Sequence, residues 1–151
     1  IADPDQHHIV LAGQVPGGFV EHQRKIDNLF TGPWADHVTR TGFVPEQEAA
    51  ELLAAADAVV LPFRDGGGNW NTSLHAALEH GSFVLTTSAD EIGYDPRRNI
   101  YRARPGDLEA MRDALGRYAG TRIDQPQLDW TWTNIVNKHL DIYRGAGEQG
   151  E

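Results

Sequence analysis

At 151 residues the chain is one domain by length and long enough to bury a core. Its 40% hydrophobic and 23% charged residues are ordinary for a globular chain, and a formal net charge of −9 argues against wholesale binding to nucleic acid or an anionic membrane. The absence of cysteine excludes disulfides and thiolate metal sites, and no apolar stretch approaches the roughly 20 residues of a membrane-crossing helix.

Residues 1 to 8 are polar, with Pro4 and the pair His7 and His8, and read as a lead-in. Ile1 points to a fragment or a processed chain, and no signal peptide is visible. Ile9 to Ala12 is a short buried strand ending at Gly13, and Gln14 to Gly18 is a loop with a proline and two glycines. Phe19 to Phe30 has helical spacing, with Phe19, Ile26, Leu29 and Phe30 on its apolar side, and Thr31-Gly32-Pro33 breaks it. Val38 to Val44 alternates as a strand, and Pro45 ends it. Glu46 to Ala56 is an alanine- and glutamate-rich helix with Ala49, Leu52, Leu53 and Ala56 on one stripe.

The central stretch runs from Asp57 to Thr87. Ala58 to Leu61 is an apolar strand that stops at Pro62. A loop follows, carrying Arg64, Asp65, Gly66, Gly67, Gly68, Asn69, Trp70 and Asn71. Thr72 to His80 is helical, with Leu74, Ala77 and Leu78 on one face; Gly81 stops it, and Phe83 to Thr86 resumes an apolar run. In a parallel sheet such a loop lies at the carboxyl ends of the strands, where open α/β sheets bind ligands. The first turn of a helix carries free amides and the positive end of the dipole, which suits a phosphate or diphosphate. The same residues also suit a plain connector in which Asn71 or Thr72 caps the helix. Neither the G-x-x-x-x-G-K-S/T pattern nor the G-x-G-x-x-G fingerprint is present.

Beyond it, Ser88 to Arg98 reads as a loop and Ile100 to Ala103 as a strand. Pro105-Gly106-Asp107 introduces a helix over Leu108 to Tyr118, with Asp107 as its cap. Residues 120 to 129 read as a linker. Trp130 to Tyr143 reads as a last helix with Trp132, Ile135, Val136, His139, Leu140 and Tyr143 on one face, and residues 145 to 151 as a disordered tail. Strands alternating with helices at this spacing predict an α/β fold, a Rossmann-like parallel sheet with helices on both faces.

Five segments in this order resemble the carboxyl-terminal, nucleotide-sugar-binding half of GT-B glycosyltransferases of family 4, the group 1 transferases. They are VTRTGFV at 38–44, EQEAAELLAAADAVVLPF at 46–63, SLHAALEHGSFVLTT at 73–87, NIYRARPGDLEAMRDAL at 99–115, and the aromatics Trp130 and Tyr143 around the last helix. The resemblance covers nearly all of residues 9 to 143. It implies a retaining transferase whose co-substrate is a nucleotide-diphosphate sugar, with no other cofactor and no metal. It implies a cytoplasmic location, including the inner face of a membrane, and an acceptor glycan or small molecule held by an amino-terminal domain that this chain lacks. The chain alone is expected to be inactive.

Two departures from the family pattern stand out. The central loop is about two residues longer than usual, so Asp65 stands in for the first of two expected glutamates and Ala76 falls where the second, on the ribose, belongs. Glu79 lies about one turn further along. The strand–helix unit that normally opens this half, and supplies the Arg and Lys that clamp the diphosphate, does not fit into residues 1 to 8. A sheet without that central strand exposes a neighbouring edge, from which a compensating homodimer is expected.

The resemblance places the donor diphosphate against Arg64, Gly66, Gly67, Gly68, Asn69, Asn71, Thr72 and Ser73, the donor sugar against Asp65, and the nucleobase along Gly42, Phe43 and Val44. Each has a structural alternative. Arg64 suits a surface ion pair, Asp65 a turn before glycine, Trp70 a core residue pinning the loop, and Gly42 to Val44 a packed strand end. Glu91 falls near a Gly-Gly-x-x-Glu segment of the family. A histidine metal site is not expected: His75 and His80 are five apart, about 140° around a helix, and His7 and His8 face opposite ways on a strand. Asp3-Pro4-Asp5 mimics an Asp-x-Asp metal motif within the lead-in. Two other functions fit the same fold: a non-catalytic interaction module, suggested by Ala76, and a GT-B-fold sugar-nucleotide epimerase.

Overall fold

The computed structural model describes residues 2–14, 19–67, 71–124, 126 and 132–147. Two parallel units follow one another along the chain. In the first, β1 (Ile9–Ala12) leads through α1 (Val20–Leu29) and a 3-10 turn at Gly32–Trp34 to β2 (Val38–Gly42). β1 and β2 pair in parallel from Ile9↔Val38 to Ala12↔Gly42 and form a sheet of their own. The turn at residues 4–6 is ordered by Asp3, whose carboxylate accepts hydrogen bonds from the Asp5 amide (3.0 Å) and the Gln6 side chain (2.9 Å).

The second unit begins with α2 (Glu46–Ala55), β3 (Val59–Leu61), α3 (Thr72–Glu79) and β4 (Val84–Thr87). It continues through β5 (Gly93–Asp95), β6 (Ile100–Ala103) and α4 (Leu108–Tyr118). Its four strands are ordered β3-β4-β6-β5; β3, β4 and β6 are parallel and β5 is antiparallel at the edge. Alternate residues face opposite sides of a strand, so this sheet sends Val84 and Ile100 to one face and Leu85 and Ala103 to the other. Val84 and Ile100 pack with Leu74, Ala77 and Leu78 of α3 and with Leu53 of α2. Leu85 and Ala103 pack with Phe83 and with Met111, Ala114 and Leu115 of α4. Helices cover both faces, as a parallel sheet requires.

The caps follow from sequence. The Asp107 carboxylate accepts the Ala110 amide at 3.0 Å, and Asn71 does the same for Leu74. Gly81 is fixed by packing: a Cβ there would sit 2.0 Å from the Ile123 carbonyl oxygen, and its φ of +68° favours glycine. Buried Asn99, at φ 53°, is fully used. Its amide donates to the carbonyls of Gly81 and Thr121, and its oxygen accepts from the Tyr94 and Thr121 hydroxyls.

Two expectations are corrected. Residues 88–98 are not all loop, because Gly93–Asp95 pairs with Asp95↔Ile100 to Gly93↔Arg102 register. A three-residue strand carries too little alternation to be read, and its pairing is tertiary. The last helix, α5 (Trp132–Gly147), runs further than expected, so residues 145–147 are helical where a disordered tail was expected. Its face is also open: Val136, Leu140 and Tyr143 are exposed. Trp130 lies outside the described residues. No helix of the described residues is long and apolar enough to cross a membrane.

Candidate functional site

The carboxyl ends of β3 and β4 are laced to the loop that leaves β3. The Thr86 hydroxyl donates to the Leu61 carbonyl (2.9 Å) and the Thr87 hydroxyl to the Phe63 carbonyl (2.6 Å). The Gly66 amide donates to Phe63 (3.4 Å) and the Gly67 amide to the Thr87 carbonyl (2.7 Å). A Cβ on Gly67 would meet the Phe63 ring at 2.6 Å and the Thr86 hydroxyl at 3.2 Å. Gly67 is thus required by the loop's own packing.

This corrects the expectation that the amides of the whole glycine run face a ligand. Those of Gly66 and Gly67 are consumed within the fold. Gly68, Asn69 and Trp70, expected at the same site, lie outside the described residues. Asn71 takes the capping role: its side chain accepts from Leu74 (3.0 Å) and its carbonyl from His75 (3.2 Å). What remains is the pair Thr72 and Ser73. Both are exposed, and both carry an amide that no carbonyl within α3 can reach. The helix dipole points its positive end at the same spot.

Arg64 and Asp65 form the exposed tip of the turn before the glycines. Among the described residues neither makes an ion pair or a side-chain hydrogen bond, so the surface ion pair considered for Arg64 does not form there. Ala76 is half-buried on α3, and Glu79 is exposed at the far end of that helix.

Gly42 ends β2, two residues earlier than the expected strand to Val44, and Phe43 and Val44 follow it outside the sheet. Gly42 has φ +67° and its carbonyl accepts the Gly13 amide at 2.9 Å; Phe43 is 76% exposed. A packed strand end does not describe an aromatic ring so open to solvent. These three residues lie at the end of the two-stranded sheet, and no strand pairing among the described residues joins them to the Arg64–Ser73 segment.

The loop after β4 closes over the same end of the sheet. Ser88 accepts the amides of Asp90 (3.3 Å) and Glu91 (3.2 Å), and Ala89 would lie 3.2 Å from a Cβ on Gly66. Glu91 reaches Arg102 of β6, Oε2 to Nε 3.5 Å. Arg102 was missed in sequence because Ile100 to Ala103 was read only as a short strand, with no role given to its side chains. The readable signal was a charge two residues after Ile100, on the same face. Among the described residues no group of three His, Asp or Glu side chains gathers as metal ligands do.

A family model described as Glycosyl transferases group 1 matches residues 1–120. The chain belongs to the group 1 glycosyltransferases. The match takes in every element from β1 to α4 and leaves α5 beyond it. No curated protein and no solved structure matches the chain. In this group 1 domain, then, the exposed start of α3 and the loops around it occupy the end of the sheet where α/β folds bind their ligands.

Proposed function

We propose that the chain is the donor-binding, carboxyl-terminal half of a retaining family 4 glycosyltransferase. In this reading the first turn of α3 holds the diphosphate of a nucleotide sugar. The observation that carries it is the pair Thr72 and Ser73, two exposed residues at a helix start whose amides have no partner within α3 and whose hydroxyls stand beside them, in a chain of the group 1 family. In transfer, the bond between the sugar's anomeric carbon and the diphosphate oxygen breaks, and that oxygen keeps the electron pair. The acceptor hydroxyl bonds to the carbon and gives up its proton. Donors already aimed at the departing oxygens lower the barrier without reorganising, and one such donor is worth about 10²–10³ in rate.

Arg64 supplies positive charge from the turn, and Asp65 accepts hydrogen bonds from donor-sugar hydroxyls. Exposed Phe43 offers a ring face to the base, with Gly42 and Val44 contributing main-chain groups. The charge on the leaving group is assigned to amides, dipole and arginine rather than to a metal ion. The acceptor comes from another domain. The edges of β1 and β3, unpaired among the described residues, suit pairing with a second copy, which sedimentation over a range of concentrations reads directly.

Calorimetric titration with UDP, GDP and ADP tests the reading. Saturable binding of one of them, weakened several-fold in Ser73→Pro, is expected. A second reading, an interaction module without a donor site, draws on Ala76 and on the consumed amides of Gly66 and Gly67. Binding of a protein partner with no response to any nucleotide would establish that alternative.

A further inference from the structure

Arg102 is the only charged residue buried among the described residues, at 9% exposure. Its place in β6 says where it leads. Ile100, two residues earlier on the same face, packs against Leu74, Ala77 and Leu78 of α3. Arg102 therefore leaves the sheet on the α3 side, one step nearer the strand's carboxyl end. Its register partner on β4 is Thr86, whose hydroxyl lies 3.2 Å from the Cβ position of Gly67. A helix joining two parallel strands runs back along them, so this level is that of α3's first turn.

The charge balance at Arg102 rests, among the described residues, on a single exposed loop carboxylate. A buried guanidinium needs a partner that stays with it, since an unpaired charge out of water costs several kcal/mol. Its ionic partner among the described residues is Glu91, at 3.5 Å, longer than a good charge-assisted hydrogen bond. The Glu91 side chain is 76% exposed and sits on a loop. Water compensates Glu91 if it swings out, but among the described residues no other anion compensates Arg102. A guanidinium presents a planar fork of donors that matches phosphate oxygens in pairs.

We propose that Arg102 is a binding residue for the diphosphate of the donor, kept in its buried position by Glu91, which yields to the incoming phosphate oxygens. The inference rests on the donor-site reading above and adds to it a buried cation on β6 beside the exposed Arg64 of the loop. Its role needs no bond to form or break. Arg102 meets the leaving diphosphate through hydrogen bonds, and Glu91 moves from an intramolecular ion pair into solvent.

Calorimetry on the whole chain with UDP, GDP, ADP and inorganic pyrophosphate tests it in three variants, with circular dichroism to check folding. Arg102→Gln should weaken nucleoside diphosphate binding by about tenfold or more, and Arg102→Lys by less, because charge survives while the fork is lost. Glu91→Gln should strengthen binding about two- to fivefold, and that gain should vanish when Arg102→Gln is added. Nucleotide binding that is unchanged in both Arg102→Gln and Glu91→Gln overturns the role of Arg102 and leaves the donor site standing. If Arg102→Gln fails to fold, an unchanged affinity in the surface variant Glu91→Gln overturns it by itself. A wild-type chain that binds none of the four probes overturns both readings together.

Discussion

The two parallel units are made from similar material and end in different states. Ile9, Val10 and Leu11 are as apolar as Val84, Leu85 and Ile100. Yet Val10 is 45% exposed, while all three of the latter are fully buried. Every buried hydrophobic residue among those described lies between Leu74 and Leu115. The difference is in neighbours. β4 has a strand on each side and helices over both faces, whereas among the described residues β1 has β2 on one side and nothing paired on the other. β3, at an edge of the second sheet, leaves Val60 37% exposed. Burial is a property of layers, and apolar content without a covering layer does not make a core.

The sharpest way to break that comparison is to empty both units. Phe83→Ala should cost about 3–5 kcal/mol, whereas Leu11→Ala, at a half-buried position, should cost about 1 kcal/mol. Denaturant unfolding of each variant checks this, and equal losses would mean that the first unit is packed as firmly as the second. The next effect is local to the site. Asn71→Ala removes the cap of α3 and should cost about 1 kcal/mol, read as faster amide exchange confined to the first turn.

The smallest effect belongs to the open unit, whose surface is tied by polar contacts. Asp27 accepts from the Gln23 amide (2.8 Å) and from Arg40, which also lies over the Phe30 ring. Chiefly the Gln23 hydrogen bond, and then Arg40, hold the Asp27 carboxyl below its ordinary value. A lowered folded-state pKa contributes stability that is complete above the unfolded value and is lost as pH falls through the folded one. Gln23→Ala should move the Asp27 titration upward, with a smaller rise in Arg40→Gln, followed by carboxyl NMR shifts. An unmoved titration would remove these contacts from the account of how the first unit holds together.

Much of the second unit was legible because its signals are local. Glu46 after Pro45 and Asp107 before Leu108 mark helix starts by chemistry that works within one turn, and α2 and α4 begin there. The spacing of Leu74, Ala77 and Leu78 marked the buried face of α3 for the same reason. What escaped depends on distant partners. β5 exists by pairing with β6. The amides of Gly66 and Gly67 are taken by Phe63 and Thr87, and Gly67 must be glycine because of the Phe63 ring. A glycine run therefore looked like a phosphate cradle when much of it is packing. At the candidate site, Thr72 and Ser73 were readable as a helix start, but Arg102 emerged only once Ile100 was seen against α3.

The account turns on whether a diphosphate settles at the start of α3, and amide NMR during titration with the tightest-binding nucleoside diphosphate measures that. The largest shifts should fall on the amides of Thr72 and Ser73, with Arg102 following and smaller changes at Phe43 and Val44. Saturating nucleotide that leaves the Thr72 and Ser73 resonances in place would contradict it.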